Sequence, residues 1–202
     1  MIRVAVFASG RGSNLEALFD SLEGRRDAAV VLVASDRADA PALERARRRG
    51  VRTAVLAATD AGGMLAALER REVDWIVLAG YLKRIPGEVV RRYRNRILNI
   101  HPALLPAHGG KGMYGERVHA AVLKSGEKVS GASVHLVDEE YDRGPVVARE
   151  EVPVDPGDDP ATLAARVLEV EHRLLPAVVI AAAEGRIRVE GGRAWIEEPE
   201  RR

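Results

Sequence analysis

Residues 2–18 read IRVAVFASGRGSNLEAL. An apolar run enters a turn with glycine at 10 and 12, and an amphipathic pattern of helical period follows. Ile2 to Ser9 is short, apolar and bounded by glycine, which predicts a buried strand. Asn14 to Leu22 predicts a helix, with Ser13 as N-cap and Glu16 three residues on as a capping box. A strand that turns through glycines into a helix puts backbone N–H groups and a helix N-terminus at the carboxyl end of a sheet, a setting that suits an anion. The Gly-Lys-Ser/Thr of a Walker loop is missing, and Leu15 stands where a dinucleotide fingerprint needs its third glycine. The phosphate of a sugar monophosphate suits the turn better; a tight turn without a ligand is the alternative.

The alternation continues outward from that turn. Strands are expected over Ala29–Ser35, Thr53–Ala57, Asp74–Ala79 and Arg96–Ile100. Helices are expected over Pro41–Arg49, with Gly50 as its stop, over Met64–Arg71 after a Gly62-Gly63 breaker, and over Pro86–Tyr93. Near-continuous apolar strands alternating with helices imply an α/β fold, a Rossmann-like, mostly parallel sheet flanked by helices. The pattern then changes. Gly115–Leu123 reads as a helix, Val129–Val137 and Pro145–Val154 as antiparallel strands, and Ala161–Ala183 as a long helix kinked at Pro176. A terminal hairpin is expected around Gly191-Gly192. With no linker, repeat or low-complexity block, residues 1–202 are expected to form a single domain.

Composition narrows the function classes. Lys and Arg number 31 against 30 Asp and Glu, so no field of one sign steers nucleic acid or an anionic membrane. Cysteine is absent, which excludes disulfides and thiolate chemistry and fits a reducing cytoplasm. The N-terminal apolar run is too short for a signal peptide, and no run of about 18 apolar residues suggests a membrane span.

The stretch ILNIHPALLP, residues 97–106, carries the chemistry. Strand alternation puts Asn99 and His101 on one side of the sheet, where an amide and an imidazole can converge on a developing oxyanion. The histidine also suits general acid–base work, and Pro102 and Pro106 stiffen the exit. A hydrogen-bonded strand end without chemistry is the alternative. Downstream, HLVDEEYDRGPVV places Asp138, Glu139, Glu140 and Asp142 between two strands. A functional reading needs one of them to face His101, and the residues alone do not choose which. Among the other histidines, His119 reads as helix surface, His108 as part of a glycine loop, His135 as a satisfied core residue and His172 as a neighbour of Glu171. No zinc spacing occurs, so no metal is expected.

Taken in order, GRGSN, LAGYLKRI, ILNIHPALLP, GASVHLVDEEYDRGPV and EVEHRLLP span nearly the whole chain. Together they resemble the phosphoribosylglycinamide formyltransferases, folate-dependent enzymes of purine biosynthesis. The resemblance implies transfer of a formyl group from 10-formyltetrahydrofolate, as co-substrate, to the amine of glycinamide ribonucleotide. It implies Asn99, His101 and Asp142 as catalytic, Asp142 because it directly precedes the x-Gly-Pro turn. Gly12, Ser13 and Asn14 would hold the ribonucleotide phosphate, and Leu168, Glu169, Val170 and Glu171 its ribose or glycinamide. Leu82, Lys83, Arg84 and Ile85, with Asn99 and the loop Asp138, Glu139, Glu140, Tyr141 and Asp142, would bind the folate. An arginine that would reach the folate's glutamate tail is missing from AATDAGGMLAAL, leaving Arg70, Arg84 or no residue in its place. The two halves, about 1–100 and 101–202, would then serve phosphate binding and folate binding with catalysis. A cytoplasmic monomer or homodimer is expected. A formylfolate hydrolase using water as nucleophile and a non-catalytic nucleotide-binding module are the rival readings.

Overall fold

From Val4 to Ala8 every side chain is fully buried. That is why this apolar run becomes a central strand, β1 (Ile2–Phe7). The computed structural model describes residues 1–198, and the chain divides into two compact units, Met1–Asn99 and Ile100–Arg202.

In the first unit β1 is followed by α1 (Ser13–Leu22), β2 (Ala28–Ser35), α2 (Pro41–Arg48), β3 (Thr53–Val55), α3 (Ala61–Glu69), β4 (Trp75–Leu78), α4 (Gly87–Arg92) and β5 (Ile97–His101). All its strand pairs are parallel, in the order β3-β2-β1-β4-β5. The chain steps outward from β1 to β3, then returns to lay β4 on the other side of β1. Such a reversal opens a crevice outside the carboxyl ends of the two strands that flank it, here β1 and β4. α1 buries Leu15, Leu18, Phe19 and Leu22, one helical face. Arg49, just past α2, answers three carboxylates of α1 and its end, Glu16, Asp20 and Glu23. Its guanidinium also lies 5.7 Å from the centre of the Phe19 ring.

Two local expectations change. Ser13 is not the N-cap of α1: Gly12 takes that place in a left-handed conformation, with no side-chain cap. Glu16 is drawn to Arg45 and Arg49 instead of closing a capping box. Gly62 and Gly63 lie inside the first turn of α3 rather than ahead of it, because Asp60 caps the helix by accepting the Gly63 N–H at 2.8 Å.

The second unit contains α5 (Glu116–Ser125), β6 (Val129–Leu136), β7 (Val146–Pro153), α6 (Pro160–Ala183) and the hairpin β8 (Ile187–Glu190) and β9 (Arg193–Ile196). β6 and β7 are antiparallel, as are β8 and β9. The β6–β7 ladder slips at one point: Val134 faces Ala148 while His135 faces Val146, so Val147 is the extra residue of a bulge. α6 packs on β6, β7 and α5, burying Leu163, Val167, Val170, Leu174 and Val178. It opens with a capping box between Asp159 and Thr162 and with Pro160 in its first turn, and Pro176 lies within it. Among the described residues no helix is long and apolar enough to cross a membrane.

Candidate active site

The glycine turn is fastened to α2. The Ala42 N–H donates to the Gly10 carbonyl at 3.2 Å, and Arg45 Nε donates to the Arg11 carbonyl at 2.8 Å. Gly12 has φ 75°, and a Cβ there would fall 2.9 Å from that of Ala42, so both conformation and packing demand glycine. The α1 N-terminus that follows presents Ser13, half-buried, and Asn14, buried. Its first amides have no partner within the helix, which is the basis of anion affinity at such an end.

The segment after β4 is tied to the end of β1. Ser9 Oγ donates to Asp36 Oδ1 at 2.6 Å and accepts the Leu82 N–H at 3.0 Å, while the Ser9 N–H reaches the Gly80 carbonyl at 3.0 Å. Tyr81 packs edge-on against Phe7, ring centres 5.4 Å apart, and burial with the nearby charge of Asp36 pushes its hydroxyl up to about 12. Leu82, Lys83 and Arg84 are exposed beyond this anchor and Ile85 is buried. Both loops therefore lie at the carboxyl ends of β1 and β4, and Ser9 joins them. No sequence pattern announced Ser9: its role depends on partners 27 and 73 residues away.

In the second unit the charged cluster is built around Asp142. β5 delivers His101, which is 3 % exposed. Its Nε2–H donates to the His108 carbonyl at 2.9 Å, and its Nδ1 lies 3.6 Å from Asp142 Oδ2. The Gly110 N–H donates to the same Oδ2 at 2.9 Å. The other oxygen, Oδ1, lies 3.4 Å from His135 Nε2. Asp142 itself has φ 54°, a turn conformation that Asp tolerates. Gly144 allows the return strand to approach, since a Cβ there would sit 1.8 Å from the Leu136 carbonyl oxygen. The residues after His101 are pinned to β6 and β7. Ser133 Oγ donates to the Ala103 carbonyl at 2.7 Å and accepts the Leu105 N–H at 3.0 Å, and Arg149 reaches the Leu105 carbonyl.

Burial sets the electrostatics. It lowers His101 below the ordinary histidine value, outweighing Asp142, which pulls the other way. For Asp142 burial pushes upward, but the His135 contact, the charge of His101 and the Gly110 N–H together bring it below the usual carboxylate value. Burial and the carboxylate thus pull the His101 imidazole in opposite directions.

Of the four acidic-turn carboxylates, Asp142 is the one the structure turns towards His101. Asp138, Glu139 and Glu140 are exposed, with the Glu140 N–H held by Asp138 at 2.8 Å; Tyr141 is exposed as well. Asn99 lies on β5, half-buried, opposite Leu78 of β4. Leu168, Glu169, Val170 and Glu171 lie mid-helix in α6, where Val170 is core, Glu169 is exposed and Leu168 and Glu171 are half-buried. His119 departs from its expected place on a helix surface. It is 4 % exposed, its Nδ1 is buried without a hydrogen bond, and burial followed by the charge of His101 lowers its pKa. The first turn of α5 faces inward there, which a single histidine cannot signal in sequence. Among the described residues no group of three or more His, Cys, Asp or Glu side chains is placed to hold a metal ion.

Comparison with known proteins then bears on the whole chain. The formyl transferase family matches residues 2–179. The Escherichia coli phosphoribosylglycinamide formyltransferase is 35 % identical over 204 residues, covering 97 % of this chain and 94 % of that one. The chain belongs to the phosphoribosylglycinamide formyltransferase family. The chloroplastic phosphoribosylglycinamide formyltransferase of Arabidopsis thaliana is 43 % identical over 195 residues, covering 92 % of this chain and 67 % of its own length. The crystal structure of glycinamide ribonucleotide transformylase 1 from Symbiobacterium toebii superposes with a TM-score of 0.91 at 40 % identity, covering 98 % of this chain and 95 % of that one. The family fold therefore extends over nearly all of the chain, including the antiparallel portion and the terminal hairpin.

Proposed function

We propose that this chain transfers the formyl group of 10-formyltetrahydrofolate to the amine of glycinamide ribonucleotide, as a step of purine biosynthesis in the cytoplasm. The observation that carries this reading is the buried His101–Asp142 pair at the end of β5 in a chain of this family. The amine nitrogen forms a bond to the formyl carbon, and the carbonyl oxygen becomes an oxyanion. The carbon–nitrogen bond to the folate then breaks, and the proton lost by the amine ends on the folate nitrogen. Nothing is oxidised or reduced.

Each residue has a part. The His101 Nε2–H, given to the His108 carbonyl at rest, is the donor that would turn to the oxyanion, joined by the Asn99 amide. Asp142, facing Nδ1, favours a protonated His101, whose charge offsets that of the oxyanion as it develops. Asp142, held ionised, is also the base through which the amine proton can pass by way of water. Gly12, Ser13 and Asn14 would take the phosphate. Leu82, Lys83, Arg84, Ile85, Asn99 and residues 138–142 would hold the folate, and residues 168–171 the rest of the ribonucleotide. Holding both substrates in line supplies much of the remaining acceleration.

The test is release of tetrahydrofolate from 10-formyltetrahydrofolate with and without glycinamide ribonucleotide. Release that requires the ribonucleotide supports transfer. Release without it means hydrolysis by water, and no release from folded protein means a binding module.

A further inference from the structure

Asp142 has two oxygens, and only one faces His101. Oδ2 meets His101 Nδ1 and the Gly110 N–H, whereas Oδ1 is buried against His135 Nε2 at 3.4 Å. His135 is 2 % exposed and stands on β6 at the point where the β6–β7 ladder slips. The extra residue of that slip, Val147, lies on the partner strand, and His135 Nε2 faces Asp142 in the loop that joins the two strands. The other nitrogen of His135 settles its protonation. Nδ1 lies 2.9 Å from the Leu136 carbonyl, a group that only accepts, so Nδ1 carries a hydrogen. In a neutral ring Nε2 would then present a lone pair to the carboxylate, acceptor against acceptor. The contact is attractive when Nε2 also carries a proton.

We propose that His135 is a positioning residue for formyl transfer: its Nε2–H holds Asp142 Oδ1 and thereby leaves Oδ2 aimed at His101. The inference rests on the formyl-transfer reading for its effect on turnover, but not for the contact itself. His101 repeats the arrangement from the other side, with Nε2 committed to the His108 carbonyl and Nδ1 facing Oδ2. One carboxylate is thus gripped between two imidazoles, each with its remaining nitrogen tied to backbone. The groups that act on Asp142 are His135, His101 and the Gly110 N–H, and both imidazoles lower it. The charges of His135 and His108 in turn act on His101.

The test begins without substrate. In wild-type protein, the ¹⁵N signal of His135 Nε2 should respond to the titration of Asp142, as a group in contact with Oδ1 must. An Nε2 signal indifferent to the state of Asp142 overturns the proposal. In His135→Leu, the Asp142 carboxyl followed by ¹³C NMR should titrate at higher pH than in wild type, and an unchanged titration also overturns it. With both substrates, His135→Leu should lower kcat by up to about 10²-fold with little change in either KM, the scale of a displaced catalytic group. His135→Gln, whose amide can donate to Oδ1, should recover part of both the titration and kcat. Equal loss in Gln and Leu with Asp142 unmoved would mark a packing residue instead. If His135→Leu fails to fold, the wild-type spectra still decide. If wild type shows the Nε2 response but no formyl transfer, the positioning contact stands and the functional reading falls.

Discussion

The Nδ1 of His101 faces Oδ2 of Asp142 across 3.6 Å, yet burial, not the carboxylate, decides the direction in which His101 titrates. Burial and carboxylate oppose each other at this ring, and the members of the pair are separable by mutation.

Replacing His101 with alanine should remove the oxyanion donor while leaving both substrates their binding residues. The expected loss in kcat is on the order of 10²–10³, with KM values little changed. Steady-state kinetics beside a far-ultraviolet circular dichroism spectrum checks this; wild-type turnover in the variant would end the catalytic assignment of His101.

Asp142→Asn keeps the shape and tolerates the left-handed backbone, but removes the charge that favours protonated His101. Turnover should fall on the order of 10²–10⁴, as for loss of acid–base assistance. The ring of His101 should titrate at still lower pH than in wild type, visible by NMR. An Asn variant in which His101 titrates as in wild type contradicts the coupling.

The dependence of stability on pH follows from the directions of the shifts. His101, His119 and His172 are lowered in the fold, chiefly by burial. Below the unfolded value of about 6.5 the unfolded chain takes up protons that the folded chain refuses, so their stabilisation is complete above that value and is lost as pH falls towards the folded values. Asp142 is also lowered. Its contribution is complete above the unfolded value of about 3.9 and disappears as pH falls through its folded value. Melting temperature should therefore decline on acidification from about pH 7, and His119→Phe should flatten the first part of that decline. A melting temperature flat from about pH 7 to 5 would contradict the assignment.

Gly12→Ala should destabilise by about 1–3 kcal/mol, since alanine must adopt φ 75° while its Cβ presses on Ala42. The same change tilts the first amides of α1, so the KM for the ribonucleotide should rise more than that for the folate. Urea unfolding and the two KM values measure both effects.

Ser9→Ala removes a hydroxyl that serves Asp36 and the Leu82 N–H at once. A cost of about 1–3 kcal/mol is expected for the groups left behind. Because residues 80–82 lose their tie to β1, the folate KM should rise several-fold while the ribonucleotide KM changes little. Equal rises in both would point to general loosening.

The architecture was legible because its signals are local. Apolar runs of strand length, glycine and proline at helix boundaries and the change of pattern after residue 100 foretold the order of elements within one or two residues at most ends. The Gly191-Gly192 hairpin was legible for the same reason. What escaped depends on distant partners. Ser13 with Glu16 matched a capping box, but two arginines of a neighbouring helix region claimed the glutamate. Gly62 and Gly63 read as a breaker because the capping strength of Asp60 was not weighed against them. His135 read as core, and it is core, but the loop that joins β6 to β7 folds a carboxylate against it, which no periodicity of β6 itself can reveal.

The way the glycine turn is fastened to α2 has a consequence for ionic strength. On one side the fastening is contact, Gly12 against Ala42; on the other it is charge, with Arg45 bridging the Arg11 carbonyl and Glu16, and Arg49 serving Glu16, Asp20 and Glu23. Dissolved salt leaves the first untouched and screens the second, because these ion pairs are partly open to water. The turn proposed to hold the substrate phosphate therefore carries a built-in sensitivity to its electrolyte, separate from any competition that dissolved anions would offer there.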